Sequence, residues 1–349
     1  MTEALPEDVA AAMAAADRRA YFEQRLFIRS PFGLWTTALL IFAVLMGLFA
    51  LAWLASGRPA LVASDPHVYA GTILRLAVWF ALMITVILAM QRYARVKDAE
   101  DLPRYVPVLR GGWDSVRTEL APRHVTLILP TAIGFVGGAA MSYLLFAARG
   151  RDNLLAYPAM LAWFAFVTTT LAMMAARGVA LTRGGSRGMR ATIEDKLIID
   201  LLRIDRLSVI GRSATRPALI WFTVSAVILL LFIGGAFTPM NVLFLAGCAA
   251  MGTWVFVGTM AHVHRRIKHA KTEELERVRC EIDAVRAQAA SDALAAAKLQ
   301  GLLAYETRVS DAQEWPFDQS TLVRFGASAL ILTIPWFGQA IAAAVVEHL

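Results

Sequence analysis

Charge is scarce in this chain, and its absence from the long apolar runs excludes more chemistry than any motif suggests. Only 17% of the 349 residues are charged and 58% are hydrophobic, a balance outside that of soluble domains. No Asp, Glu, Lys or His lies near the middle of an apolar run, so the groups that mark proton relays and substrate pockets in membranes are missing. A proton-coupled carrier or an intramembrane hydrolase is therefore not expected, whereas a channel or facilitator needs no such residue. Cysteine is nearly absent. Cys248 and Cys280 fall in an apolar run and in the polar stretch after it, which predicts free thiols rather than a disulfide. The sequence has no H-E-x-x-H, and Ser186 lies in a glycine-rich stretch without a neighbouring histidine, so no nucleophile or metal motif stands out and no catalytic residue is assigned.

What the chain does have is apolar runs of membrane length, near Leu34–Leu54, Ile73–Met90, Val125–Phe146, Leu155–Ala176, Ala218–Phe237, Val242–Val263 and Val323–Val346. A hydrocarbon core of about 30 Å takes about 20 helical residues. A spanning segment must satisfy its own backbone, and none of these alternates like a barrel strand. The expected class is all-α, a polytopic helical membrane protein with about seven spans. The expected division is an amphipathic N-terminal segment (1–32), a membrane domain with six spans (33–263), a cytoplasmic helical hairpin (264–322), and a seventh span with a short external tail (323–349). The acidic N-terminal region lacks a short apolar core, so the first span is expected to be an uncleaved signal anchor.

Lys and Arg are retained on the cytoplasmic side during insertion. Residues 91–124 contain seven of them and 177–217 nine, while the intervening stretches offer Arg58, then Arg149 and Arg151, then none at Thr238–Asn241. The N-terminus is thus expected inside and the C-terminus outside. The net charge of +7 and pI near 9.7 need no nucleic acid, since basic residues beside span ends serve topology and attraction to anionic headgroups. The bilayer, including those headgroups, is the expected partner.

Residues 264–309 contain no proline, and apolar residues recur at helical spacing from Leu275 to Leu303. A single straight helix there would reach about 67 Å from the membrane, but the remaining connection to the last span bridges only about 45 Å. An antiparallel hairpin capped at Ser291 or Asp292 resolves the mismatch; a tilted coiled coil between two copies is the alternative, giving a protein partner or homo-oligomer through 271–309. The Ile193–Ile210 stretch either lies in the headgroup plane or docks on the hairpin, and Arg183–Arg190 reads as a glycine-rich turn.

Uncharged polar residues remain inside the runs: Ser142, Tyr143, Thr168, Thr169, Thr170, Ser225 and Gln339. They could line a path, although hydroxyls and amides in spans more commonly bond a backbone carbonyl or a neighbouring helix. Gly134, Gly138 and Ser142, and likewise Cys248 and Gly252, recur at four-residue spacing and predict close helix packing. Pro130 and Pro335 are expected to kink their spans, Arg75 to snorkel to headgroups. His262, His264 and His269 sit among Arg265, Arg266 and Lys268, which would repel a cation, so no metal or other cofactor is assigned.

Two regions resemble segments of an uncharacterised group of bacterial polytopic inner-membrane proteins. One runs from Leu197-Ile198-Ile199-Asp200-Leu201-Leu202 through Arg216-Pro217-Ala218-Leu219-Ile220-Trp221. The other is Tyr305-Glu306-Thr307-Arg308-Val309 followed by Glu314-Trp315-Pro316-Phe317-Asp318 before the last span. The resemblance covers about a fifth of the chain and implies a shared topology in a bacterial inner membrane, with no activity attached. The expectation is a non-enzymatic scaffold or partner-docking protein acting through its cytoplasmic helices; a channel using the Thr168–Thr170 and Gln339 surface is the alternative.

Overall fold

Long apolar runs can satisfy their backbone only by coiling, and the computed structural model of the chain is helical throughout its described residues apart from one isolated β-bridge. Those residues are 30–57, 73–115, 128–147, 157–230, 239–290 and 292–315, with scattered positions at 6–11, 25 and 323–330. The helices are α1 (Leu34–Ala55), α2 (Ile73–Tyr105), α3 (Ile128–Ala147), α4 (Pro158–Lys196), α5 (Ser208–Leu229), α6 (Pro239–Arg286) and α7 (Ala293–Ser310). Short 3-10 turns cover Val106–Val108 and Ile204–Leu207. Three stretches, Leu34–Ala55, Ile73–Val108 and Pro158–Ala180, are long and apolar enough to cross a membrane, and Ile128–Leu144 is a shorter apolar helix. Their outer faces suit hydrocarbon. Trp35 is 80% exposed and Ile128 79%, on contiguous apolar surfaces that water would penalise and lipid chains accept.

Two cores organise the bundle. In the first, α1, α2 and α4 converge on edge-to-face rings: Phe49 meets Trp163 at 5.1 Å between centroids, and Phe80 meets Phe164 at 6.2 Å. The indoles also find partners, as buried N–H groups must. Trp163 donates to the Leu45 carbonyl (3.2 Å) and Trp79 to the Val227 carbonyl (2.7 Å), tying α4 to α1 and α2 to α5.

The second core lies at the arginine-rich end. Val108 and Leu109 after α2, Leu197 after α4, Leu207 and Ile210 at the start of α5, and Val263 and Ile267 of α6 are buried together. A short antiparallel bridge pins it: Arg110 N–H donates to the Lys196 carbonyl (2.7 Å) and Ile198 N–H to the Val108 carbonyl (2.9 Å). Within the 193–210 stretch, Leu197, Leu207 and Ile210 are buried in the same core as Val263 and Ile267 of α6, while Ile198 and Leu202 are 42% and 54% exposed.

One local expectation changes. Arg183–Arg190 is helix, within α4, not a turn. A glycine costs a helix only about 1 kcal/mol, and propagation from an established helix is far easier than nucleation. Pro130 is the third described residue of α3; residues 116–127, on the other side of the expected kink, lie outside the described residues. Arg75 donates to the Leu230 carbonyl, at the last described residue of the α5 segment (3.3 Å).

Pro335, Gln339, Ser291 and nearly all of the 1–32 segment lie outside the described residues, as does most of the last apolar run.

Candidate functional site

The polar residues of the structured interior gather in two places. The first joins α2 to α5. Asp98 and Asp101 are three apart and so share one face of α2. Arg216, just before the apolar part of α5, donates one Nη to each carboxylate, and Arg104 donates to the other oxygen of Asp101 at 2.6 Å. Asp101 and Arg216 are buried, at 3% and 9% exposed. One turn along, Tyr105 pairs with Ser213. Asp101, buried and held by two arginines, is not available as a base, and Asp98 pairs with Arg216 from a side chain that is 62% exposed. This cluster is a tie between helices rather than a reactive centre.

The second place is the hairpin. Asp292 caps α7 by accepting from Leu294 N–H (2.9 Å), and α7 returns antiparallel along α6. Tyr305 donates to Glu274 (2.8 Å), and Arg279 to Glu306 (2.7 Å), while Val278, Ala295 and Val309 are buried between the two helices. Glu274 also accepts from Arg277, at 3.1 Å from its Nε. The hydrogen bond from Arg277 holds the Glu274 carboxyl below its ordinary range; burial opposes it, and the bond from Tyr305 adds to the lowering, while that same bond raises the Tyr305 phenol. At the root of the hairpin the chain after α7 clamps back. Lys271 donates to the Ala312 carbonyl (3.0 Å) and faces Glu314 (3.5 Å), and Trp315 stacks flat on His264 at 4.1 Å.

Of the residues proposed for a polar path, the structure brings Ser142 and Thr168 together: both are buried, their hydroxyls meet across α3 and α4, and each also lies within hydrogen-bond reach of a carbonyl one turn back, at 2.9 and 2.7 Å, so that two protons are shared among three contacts. Thr169 and Thr170 are half-buried, Ser225 is buried on α5, and Tyr143 is 67% exposed on the outer side of α3. Gln339 is outside the described residues. The small residues sit at close approaches. A Cβ on Gly134 would stand 2.5 Å from the Met173 Cα, and one on Gly138 2.5 Å from the Thr169 Cα. At Gly252 a Cβ would run into the Phe222 ring, while the Cys248 side chain is not among those described.

The histidines are engaged separately. Arg265 donates to His262 (3.0 Å), His264 donates to the Glu314 carbonyl (3.0 Å), and His269 faces Glu273 at 3.3 Å. Among the described residues no group of three or more His, Cys, Asp or Glu could hold a metal ion. Gly184-Gly185-Ser186-Arg187-Gly188 has the G-x-S-x-G spacing, although the sequence reading gave Ser186 no such weight. It lies within α4 rather than on the strand-to-helix elbow that exposes a nucleophile.

Sequence reasoning missed the Arg216 cluster, since Arg216 counted there only as a topological charge. The signal was the acidic group Asp98, Glu100 and Asp101 inside a stretch with seven Lys and Arg. Compared with protein-family models, curated proteins and solved structures, the chain matches none.

Proposed function

We propose that this is a multi-pass inner-membrane protein of about seven spans, N-terminus cytoplasmic and C-terminus external, that works by binding. Its partner-docking element is the α6–α7 hairpin on the arginine-rich, cytoplasmic side. The observation that carries the reading is the continuity of α6. At 48 residues it is about 72 Å long, more than twice the hydrocarbon thickness, so about half of it stands outside the bilayer. That half is braced by α7 and clamped at its root by Lys271, His264, Glu314 and Trp315. A rigid arm with exposed flanks suits docking, and Leu294 (78% exposed) and Leu303 (47%) are apolar residues on its two sides, half a helical turn apart around the axis. The resemblance of the Glu314–Asp318 segment to bacterial inner-membrane proteins agrees with this placement.

Photocrosslinking residues placed at Leu294 and Leu303 in cells test the reading. A discrete protein adduct, lost when 271–309 is deleted, is the expected result. Absence of any adduct from either position, with the protein at normal level in the membrane, would overturn it.

A further inference from the structure

One turn before Arg216, which two aspartates saturate, Arg212 has no such partner. Its Nε is shut off from solvent without a hydrogen-bond acceptor, and the same holds for Arg266 on α6; these are the two buried side-chain polar atoms left unpaired among the described residues. A buried guanidinium nitrogen facing no acceptor is costly, and such a group calls for an explanation.

The two arginines belong to neighbouring helices. Gly252 of α6 lies against Phe222 of α5, and the two helices run antiparallel. From that contact Arg212 is ten residues, about 15 Å, and Arg266 fourteen residues, about 21 Å, toward the basic end. They therefore stand within about one helical turn of the same height. On α5, Arg212 lies between Arg216, which faces α2, and Ser208, and opposite the exposed Pro217. On α6, Arg266 flanks the buried Val263 and Ile267 and lies away from the exposed Arg265 and Lys268. Arg212 is six residues before the apolar run beginning at Ala218, and Arg266 three beyond the one ending at Val263. These offsets of about 5–9 Å fall in the headgroup layer outside the hydrocarbon.

We propose that Arg212 and Arg266 form a site for the phosphate of an anionic phospholipid headgroup, seated between α5 and α6. A guanidinium matches phosphate oxygens in charge and geometry. The α2 carboxylates Asp98 and Asp101 are committed to Arg216 and Arg104, and among the described residues no ion pair joins Arg212 or Arg266, so an outside anion suits their charge. The inference rests on the membrane reading above, and its test separates the two.

Full-length protein purified in neutral detergent is titrated with phosphatidylglycerol, phosphatidylcholine or inorganic phosphate, with retained lipid read by native mass spectrometry and stability by thermal unfolding. Wild type should retain phosphatidylglycerol at least about tenfold more strongly than phosphatidylcholine, the scale expected for charge-assisted hydrogen bonds. Arg212→Gln with Arg266→Gln should abolish that preference. Arg265→Gln with Lys268→Gln, the same charge change at exposed positions, should keep it. Should the first pair fail to fold, Arg266→Gln alone carries the comparison, with a loss of at least about fivefold expected. Equal loss in both pairs, no loss in either, or no lipid preference in wild type overturns the site. Inorganic phosphate that stabilises wild type as strongly as phosphatidylglycerol also overturns the lipid assignment. Flotation with liposomes supplies the separation: protein that does not insert refutes the membrane reading, while inserted protein without preference refutes only the site.

Discussion

Replacing Arg216 with Met tests whether the tie between α2 and α5 supports the bundle. Met keeps most of the side-chain length but removes the charge that spans Asp98 and Asp101. Breaking a buried ion pair by deleting one partner costs about 3–5 kcal/mol, because the other charge stays buried without compensation. Here the stranded Asp101 side chain is 4% exposed and keeps Arg104, whose own side chain is 58% exposed, so the expected cost drops to about 2–4 kcal/mol. Asp98 has a side chain 62% exposed and should rehydrate, which limits Asp98→Asn to about 1 kcal/mol or less. Adding Asp101→Asn to Arg216→Met removes the stranded charge and should recover part of the loss, a coupling of about 1–3 kcal/mol. Denaturant unfolding in micelles, followed by tryptophan fluorescence, measures these three variants and Asp101→Asn alone. The reasoning fails if Arg216→Met costs less than about 0.5 kcal/mol, or if the double variant is as unstable as the two single losses added together.

Three further outcomes are expected. Gly134→Ala puts a methyl against the α4 backbone and should cost about 1–3 kcal/mol, whereas Gly137→Ala, with open space at its Cβ, should be neutral or stabilising by up to about 1 kcal/mol; thermal unfolding distinguishes them. Asp292→Ala removes the α7 cap and should cost about 1 kcal/mol, seen as faster amide exchange at 293–297 with little change in α5. Because Glu274 is held below its ordinary value of 4.5, its contribution to the hairpin is complete above that pH and is lost as the pH falls through the lower folded value. Exchange protection near Glu274 and Tyr305 should therefore stay level from pH 8 to about 5 and weaken below about 4, with Tyr305→Phe blunting the effect.

How much of this was legible before the structure depends on whether the cause is local. Helical class follows from backbone solvation in hydrocarbon and needs no tertiary knowledge. The turn at Asp292 was readable because chain reach and capping chemistry are both short-range arguments. The α2–α5 tie was not, since Arg216 lies 115 residues from Asp101 and counting arginines for topology hides which one is buried. The helix through Gly184, Gly185 and Gly188 was misread for a related reason. Local propensity argues for a turn there, but α4 arrives already nucleated and the cost per glycine is small.

The three basic stretches between apolar runs look independent in sequence, and packing makes them one body. Val108 and Leu109 come from the first, Leu197, Leu207 and Ile210 from the second, and Val263 and Ile267 from the helix that becomes the hairpin arm. Backbone hydrogen bonds at Arg110 and Ile198 fix the first two in register. The arm is therefore not a tether on a flexible loop, because its root is a buried wall of this core. A protein docked on α7 would press on the same helix whose apolar half packs against Phe222, with no loop between to absorb the load. For a protein whose spans carry so few reactive groups, that unbroken path from an exposed arm into the bundle is the strongest physical reason to seek its role in binding.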